Sequence, residues 1–288
     1  MPDASRAQHR DLLATAVAAA VRAADIIASR SRDAGSMSAL AWEEKRPADF
    51  VSEVDRAAER AIAEIIVARH PAAMIVGEEL SPDVGGGSGL AFIVDPLDGT
   101  TNFLHGYPEY AVSIAALRDG ELAAGVVLNV TTGELFTATA GAGARRNGEP
   151  IAVSSLGDPG RALIGTGFPF KHLELLPGYQ RQLGTVIRQT AGVRRAGSAA
   201  LDLADVACGR FDGFWELRLA PWDVAAGLLM VREAGGVATD LEGSPAPVSH
   251  GGIVAGNALL HPWLLSLVRQ SDDYGAIDDH GTIAETGE

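Results

Sequence analysis

The sequence has a single cysteine, Cys208, among its 288 residues. A disulfide needs two cysteines, so none can form within the chain, and such sparse usage is typical of proteins in a reducing compartment. Long hydrophobic runs are also missing, because Arg22 and Asp25 interrupt the alanine-rich stretch 12–28 before it reaches the roughly 18 apolar residues of a membrane span. We therefore expect a soluble cytoplasmic protein with no membrane partner and no signal peptide.

Positive charge is scarce. The chain has 23 lysines and arginines against 37 aspartates and glutamates, a net charge of −14. Proteins that bind nucleic acid carry clustered basic residues against the phosphates, so this balance argues against a nucleic-acid partner. An anionic small molecule could still bind, but a cation would have to be supplied at the site.

Hydrophobic periodicity predicts two early helices, at residues 12–29 and 49–69. In the second helix we place Val54, Ala57, Ala61, Ile65 and Ile66 on the apolar face. The opposite, polar face is expected to carry Arg56, Glu59, Arg60 and Glu64. Strand patterns then follow closely, which favours an antiparallel or mixed sheet flanked by the helices, with strands at residues 74–76, 90–94, 110–117, 123–129, 134–139 and 150–153.

After residue 155 the pattern changes to alternating short strands and helices, which is typical of an α/β arrangement. We predict strands at 162–165, 193–195, 211–217 and 252–256, and helices at 175–187, 199–207, 223–233 and 259–268. The chain is therefore divided into an α+β part, residues 1–155, and an α/β part, residues 156–270. The glycine-rich stretch 82–89 is expected to be a loop, and the acidic stretch 271–288 a disordered tail.

The stretch VDPLDGTTNF, residues 94–103, places Asp95 and Asp98 three positions apart directly after an apolar strand pattern. Pro96 lacks a backbone N–H, so we expect the strand to end there in a turn. Two readings are open for the aspartates: either they stabilise this turn, or they bind a cation. Carboxylate ligands without histidine or cysteine favour Mg²⁺ or Mn²⁺ over zinc.

A helix start is predicted next to these acids. Gly99 permits an unusual backbone angle, and Thr100 and Thr101 can cap a short helix beginning near residue 101. The free N–H groups of a helix start attract anions. This one turn would thus offer carboxylates that bind cations and backbone amides that bind an anion. A phosphate bridged to the protein by divalent metal ions would use both kinds of group.

Further acidic residues occur where chain segments begin or end. Glu78 and Glu79 follow the strand predicted at 74–76, and strand ends of one sheet can converge. Asp223 opens a predicted helix, where its alternative role is an N-terminal cap worth about 0.5–2 kcal/mol. Asp55 lies in the second helix, where a solvated surface acid is the default expectation. Spacing alone leaves these readings open.

In combination these motifs resemble the inositol monophosphatase family, which belongs to a group of lithium-sensitive, magnesium-dependent phosphatases. The main matches are Gly77-Glu78-Glu79, the DPLDGTTNF stretch from Asp95, and WDVAAG from Trp222. Supporting matches lie at residues 45–55, 147–151, 166–170, 195–200 and 233–236, so that the resemblance covers roughly residues 10 to 268.

The resemblance implies a fold of alternating helix and sheet layers, an α-β-α-β-α sandwich, usually assembled as a homodimer. It also implies hydrolysis of an inositol monophosphate by a water activated with two to three Mg²⁺ ions, for which Mn²⁺ could substitute. By resemblance, the metal ligands are Glu78, Asp95, the carbonyl of Leu97, Asp98 and Asp223. Glu78, Thr100 and Asp55 would act in catalysis, with Glu79 nearby, and Gly99 and Thr100 would bind the phosphate.

The resemblance also implies a substrate pocket, formed by Asp98, Gly197, Ser198, Ala199, Glu216 and Asp223. The pairs Asn102-Phe103 and Trp215-Glu216 favour the inositol branch of the group. Histidinol phosphate, fructose 1,6-bisphosphate and 3′-phosphoadenosine nucleotides remain alternative substrates. A non-catalytic regulatory or RNA-polymerase-associated binding protein is the alternative from another functional class.

Overall fold

The computed structural model describes residues 3–33, 42–46, 49–80 and 89–270. Most of the predicted loop at 82–89 and the whole predicted tail at 271–288 lie outside these residues. The division of the chain near residue 155 remains a prediction.

The larger sheet has seven strands in the order β3-β4-β5-β6-β7-β8-β9. Only β3 and β4 are parallel, and the other neighbours are antiparallel, as the closely spaced strand patterns predicted. Asp119-Gly120 and Asn147-Gly148 join hairpins, and all four residues have positive φ, the geometry of a type I′ turn. The strands are β3 (Met74–Gly77), β4 (Leu90–Asp98), β5 (Ala111–Arg118), β6 (Glu121–Asn129), β7 (Leu135–Thr139), β8 (Gly143–Arg146) and β9 (Glu149–Ile151).

The smaller sheet has five strands in the order β11-β10-β12-β14-β13. Its β10 is parallel to both β11 and β12, whereas β14 is antiparallel to β12 and β13. These strands are β10 (Leu163–Thr166), β11 (Gly192–Arg194), β12 (Gly213–Leu219), β13 (Val237–Thr239) and β14 (Gly251–Gly256). A separate antiparallel pair joins β1 (Trp42–Arg46) and β2 (Asp49–Ser52).

The helices form three layers that pack against the two sheets, and three clusters of buried apolar residues lie between the helices and the sheets. α1 and α2 pack on one face of the large sheet, α5 and α6 lie between the two sheets, and α4 and α7 cover the outer face of the small sheet. This is the predicted α-β-α-β-α sandwich. The helices are α1 (Asp3–Asp33), α2 (Glu53–Arg69), α3 (Thr100–His105), α4 (Leu176–Gln189), α5 (Ala199–Ala207), α6 (Pro221–Glu233) and α7 (His261–Gln270).

Helix α1 is long and apolar enough, over Ser5–Arg30, to pass a length and composition test for a membrane span. A core helix of a soluble protein passes the same test. In this structure α1 buries Leu12, Ala16, Ala20 and Ile27 in the core that it shares with α2 and the large sheet. This packing accounts for its apolar composition.

Two local predictions need correction. The helix predicted at 49–69 begins only at Glu53, because Asp49–Ser52 pairs with β1 as a strand. The strand before Pro96 does not end there: β4 continues to Asp98 through an irregularity between Asp95 and Asp98. A bulge leaves a residue outside the ladder, so it tolerates a proline that cannot donate.

Candidate metal-binding active site

The site is built around the end of β4. Asp95 pairs with Ser113 of β5 and Asp98 pairs with Ala111, with the bulge between the two aspartates. Asp95 is only 1 % exposed, and its Oδ1 accepts the backbone N–H of Leu97 at 3.0 Å. A buried carboxylate thus follows directly after the apolar residues 90–94 of β4.

Asp98 connects this strand end to the start of α5. Its Oδ2 accepts the hydroxyl of Ser198 at 2.6 Å and the backbone N–H of Ala200 at 2.8 Å. Removal from water raises the pKa of Asp98, while these hydrogen bonds and the charge of Lys171 lower it. The carboxylate is thus held in place by residues about 100 positions later in the chain.

Asp223 combines the two roles that the sequence left open. It lies in the first turn of α6, and its Oδ2 accepts the backbone N–H of Ala220 at 2.7 Å, as a capping carboxylate does. The same side chain also meets Asp95 and Asp98, since one ligand oxygen of each of the three lies within 4.8 Å of the others. Capping and cation binding are therefore compatible at this residue.

The electrostatics of this cluster favour a cation. Burial raises the pKa of Asp95 well above its ordinary value, and the charges of Glu78, Asp98 and Asp223 raise it further. Carboxylates so close together in a poorly solvated site repel one another unless a positive charge neutralises them. The donor set is oxygen only, which suits a hard divalent ion such as Mg²⁺ or Mn²⁺. The residues present fit such an ion.

Glu78 follows β3, the parallel neighbour of β4. Gly77 pairs with Val94, so Glu78, the first residue after β3, lies level with Asp95 of β4. The Glu78 N–H donates to the carbonyl of Val94 at 3.3 Å, and the Glu78 charge raises the Asp95 pKa more than any other charge does. The predicted convergence of the strand ends is confirmed, although Glu78 is not one of the three residues within 4.8 Å of one another.

Asp55 is not the solvated helix acid that its position suggested. It is 1 % exposed in α2, and its Oδ1 lies 3.1 Å from the hydroxyl of Thr100. That hydroxyl also lies 3.0 Å from the carbonyl oxygen of Leu97, so it can donate to either acceptor. The structure therefore brings Asp55, Thr100 and the Leu97 carbonyl together beside Asp95.

Helix α3 begins differently from the prediction. Gly99 is its N-cap, with φ of 92° and no side-chain cap, and α3 starts at Thr100. A Cβ at Gly99 would lie 2.8 Å from the carbonyl oxygen of Glu109, so glycine is needed both for the backbone angle and for the close approach. The prediction that Thr100 and Thr101 cap this helix was wrong, because Thr100 uses its hydroxyl toward Asp55 and Leu97.

The predicted pocket residues 197–199 lie beside Asp98. Ser198 caps α5 by accepting the N–H of Leu201 at 3.4 Å, and its hydroxyl donates to Asp98. Gly197 has φ of 95°, a left-handed conformation that favours glycine, and a Cβ there would also lie 2.7 Å from Nη1 at the end of the Arg195 side chain. Ala199 is the buried first residue of α5.

Glu216 in β12 is close enough to the carboxylate cluster for the charges of Asp223 and Asp98 to affect its pKa. The pKa of Glu216 is raised to about 8, mainly by burial and also by the charges of Asp223 and Asp98, while the charges of Arg195 and Lys171 act in the opposite direction. A Cβ at Gly167 would overlap the Glu216 carboxylate, so this glycine leaves the space that the carboxylate fills. The two cations Arg195 and Lys171 are the basic residues that sequence reasoning did not assign to the site.

Two supporting residues were also missed. Glu59, expected on the polar face of α2, is 2 % exposed and accepts the N–H groups of Glu79 and Leu80. Asn102 donates through Nδ2 to the carbonyls of Glu109 and Ala196, which ties α3 to the segment before residue 197. Glu59 lies four residues after Asp55 and so shares its helix face, but the burial of Asp55 is itself not visible in the sequence.

The sequence matches the model of the inositol monophosphatase family over residues 8–273. The chain belongs to this family. It is 48 % identical over 229 residues to an inositol-1-monophosphatase of Rhizobium meliloti, covering 80 % of this chain and 86 % of the relative. It is 46 % identical over 234 residues to the Nus factor SuhB of Pseudomonas aeruginosa, and this match also covers 80 % of this chain and 86 % of the relative.

Among solved structures, the extragenic suppressor protein suhB of Bartonella henselae resembles this chain with a TM-score of 0.84 and 43 % identity. The match covers 90 % of this chain and 99 % of that one. The fold is therefore that of the inositol monophosphatase family, and the family and its relatives indicate a phosphatase. Relatives of similar identity carry two different names, so the family alone does not assign the substrate.

Proposed function

We propose that this protein is a Mg²⁺-dependent phosphomonoesterase that hydrolyses inositol monophosphate to inositol and phosphate. The observation that carries the proposal is the convergence of three carboxylates, those of Asp95, Asp98 and Asp223. One of them, Asp95, is buried and has a raised pKa. The similarity to the inositol-1-monophosphatase of Rhizobium meliloti supports the substrate class.

Asp95, Asp98, Asp223, Glu78 and the carbonyl of Leu97 would hold two to three Mg²⁺ ions, with Mn²⁺ as a substitute. Bound there, the ions would lower the pKa of water and offset negative charge on the phosphate and the leaving oxygen. They would also reverse the sign of the local field, so that an acidic protein can bind an anion.

The chain's own groups would orient the reactants. Thr100, donating its hydroxyl proton to Asp55, can accept a hydrogen bond from the attacking water, and Glu78 would accept the proton that the water releases. The backbone N–H groups of Gly99 and Thr100 would bind phosphate oxygens at the start of α3. The water oxygen would form its bond to phosphorus in line with the ester P–O bond that breaks, without a covalent phospho-enzyme, and the leaving oxygen would take a proton from solvent water to give the alcohol.

The inositol ring would lie against the segment 197–199. Asp98, Ser198, Glu216 and Asp223 offer oxygen atoms for its hydroxyl groups, while Gly197 and Ala199 leave space. A carboxyl with a pKa of about 8 is protonated in most molecules at neutral pH, so Glu216 could donate a hydrogen bond to a hydroxyl as well as accept one. The proposal also includes that the protein is a homodimer, that it is cytoplasmic, and that lithium inhibits it.

A substrate panel tests this assignment. Release of phosphate would be measured at millimolar Mg²⁺ from inositol 1-phosphate, histidinol phosphate, fructose 1,6-bisphosphate and 3′-phosphoadenosine 5′-phosphate. The proposal predicts the highest kcat/KM for inositol 1-phosphate. A higher value for another ester would reassign the substrate within the phosphatase class.

A second candidate is a regulatory binding protein. It is favoured by the similarity to relatives named Nus factor SuhB, one of them 46 % identical to this chain. The intact carboxylate cluster favours the enzyme, because a binding role makes no use of three converging acids. Absence of phosphate release from every ester in the panel would favour the binding protein.

A further inference from the structure

Glu59 is a buried carboxylate that binds the backbone immediately after Glu78. Its Oε2 accepts the N–H of Glu79 at 2.8 Å, and its Oε1 accepts the N–H of Leu80 at 3.0 Å. The side chain is 2 % exposed. One carboxylate therefore holds two consecutive amides of the segment that leaves β3.

Gly77 completes this contact on the other side of Glu78. A Cβ at Gly77 would overlap Oε1 and Cδ of Glu59, so the carboxylate packs directly against the backbone at the end of β3. The residues before and after Glu78 are thus both in contact with Glu59. Two hydrogen bonds and a direct packing contact therefore restrain the backbone on both sides of Glu78.

We propose that Glu59 is a positioning residue for Glu78, fixing the backbone from which the Glu78 carboxylate reaches the cluster at Asp95. The inference rests on the proposed function, in which Glu78 binds metal. Helix α2 then supports the site at two points one turn apart, through Asp55 to Thr100 and through Glu59 to the segment after Glu78.

The test is Mn²⁺ affinity, measured by titration calorimetry on the full-length, metal-stripped protein without substrate. Glu59→Gln keeps the size of the side chain but turns an NH₂ group toward one of the two backbone N–H donors. Partners that orient metal ligands typically contribute about 10- to 100-fold to metal affinity, and we expect a loss of that size. Glu64→Gln removes the same charge from an exposed position of α2 and should bind Mn²⁺ like the wild-type protein.

Kinetics separate positioning from a general loss of structure. Glu59→Gln should need about 10- to 100-fold more Mg²⁺ for half-maximal phosphate release. Its kcat should return close to the wild-type value once Mg²⁺ saturates, because Glu59 itself does not touch the substrate in this account. Gly77→Ala displaces the Glu59 carboxylate without removing it and should show the same shift.

Unchanged Mn²⁺ affinity in Glu59→Gln would overturn the inference. If that variant does not fold, Gly77→Ala decides in its place: a weakened affinity supports the inference, and an unchanged one overturns it. A wild-type protein that binds no Mn²⁺ would overturn the proposed function and this inference with it. Wild-type binding with unaffected variants would overturn only the role of Glu59.

Discussion

The Oδ2 atom of Asp98 accepts a hydrogen bond from the hydroxyl of Ser198 at 2.6 Å. This bond joins the end of a strand in the large sheet to the cap of α5, which lies between the two sheets. Ser198 also accepts the N–H of Leu201, so one hydroxyl both starts the helix and orients a carboxylate of the cluster. The site therefore depends on packing between segments that are far apart in the sequence.

Asp95→Asn should be the most damaging single substitution in the cluster. The amide removes the charge that lies among Glu78, Asp98 and Asp223, and it offers one ligand oxygen instead of two. Metal ions contribute several kcal/mol to such transition states, so kcat/KM should fall by at least about 100-fold. Phosphate release and Mn²⁺ calorimetry would both report the loss.

The control is Asp119→Asn, which changes the same chemical group in an exposed turn. Residue 119 has φ of 51°, a conformation that asparagine also adopts. This variant should keep wild-type turnover. Near-normal Mg²⁺-dependent turnover in Asp95→Asn would contradict the assignment of the site.

Two substitutions of Asp223 separate its cap from its proposed metal contact. Asn retains an acceptor for the Ala220 N–H, so Asp223→Asn should lower metal affinity and kcat with little change in the free energy of unfolding. Asp223→Ala removes both roles and should also destabilise the metal-free protein by about 0.5–2 kcal/mol. Urea unfolding without metal measures the stability of each variant.

If Asp223→Asn left kcat and metal affinity unchanged while Asp223→Ala lost stability, Asp223 would be a cap alone. The 2.7 Å hydrogen bond to Ala220 would then be its whole function.

Gly167→Ala should impair the substrate pocket. The added methyl group overlaps the carboxylate of Glu216, which must move to another rotamer. If Glu216 binds an inositol hydroxyl, KM should rise more than kcat falls. Steady-state kinetics with inositol 1-phosphate measure both. Gly251→Ala, in a strand position where a Cβ meets nothing within 4 Å, is the matched control, and equal kinetic constants in the two variants would speak against Glu216 as a substrate contact.

Two glycines within helices should respond to alanine in opposite directions. At Gly184 in α4 a Cβ would meet only Arg188, at 3.5 Å, so alanine should stabilise the protein by about 0.5–1 kcal/mol. At Gly227 in α6 a Cβ would lie 2.5 Å from Cβ of the fully buried Leu203, so alanine should destabilise it by about 1–3 kcal/mol. Urea unfolding measures both changes, and the same sign for both would contradict the packing described for α6.

Much of the fold could be predicted from the sequence, because its elements carry local signals. Helix α5 has the predicted bounds, 199–207, since Ser198 supplies a cap just before an apolar pattern. The short strands β8 and β13 were not predicted, because so few residues show no periodicity. The continuation of β4 past Pro96 was missed, because a bulge depends on the neighbouring strand and not on local sequence.

The acids of the site could be identified from motifs, but their surroundings could not. Asp95, Asp98 and Asp223 do converge as the resemblance implied. Glu59 was placed on the polar face of α2 because a glutamate in a helix is usually solvated. Its burial depends on two backbone N–H groups about twenty residues later in the chain, which no helical pattern records.

Metal removal and restoration test the central claim most directly. The full-length protein would be stripped of metal with EDTA, dialysed, and assayed for phosphate release from inositol 1-phosphate while Mg²⁺ is added back. The account predicts no release without metal and a saturable recovery as Mg²⁺ fills the site formed by Asp95, Asp98 and Asp223. Release that persists in the stripped protein, or that never appears at millimolar Mg²⁺, would contradict it.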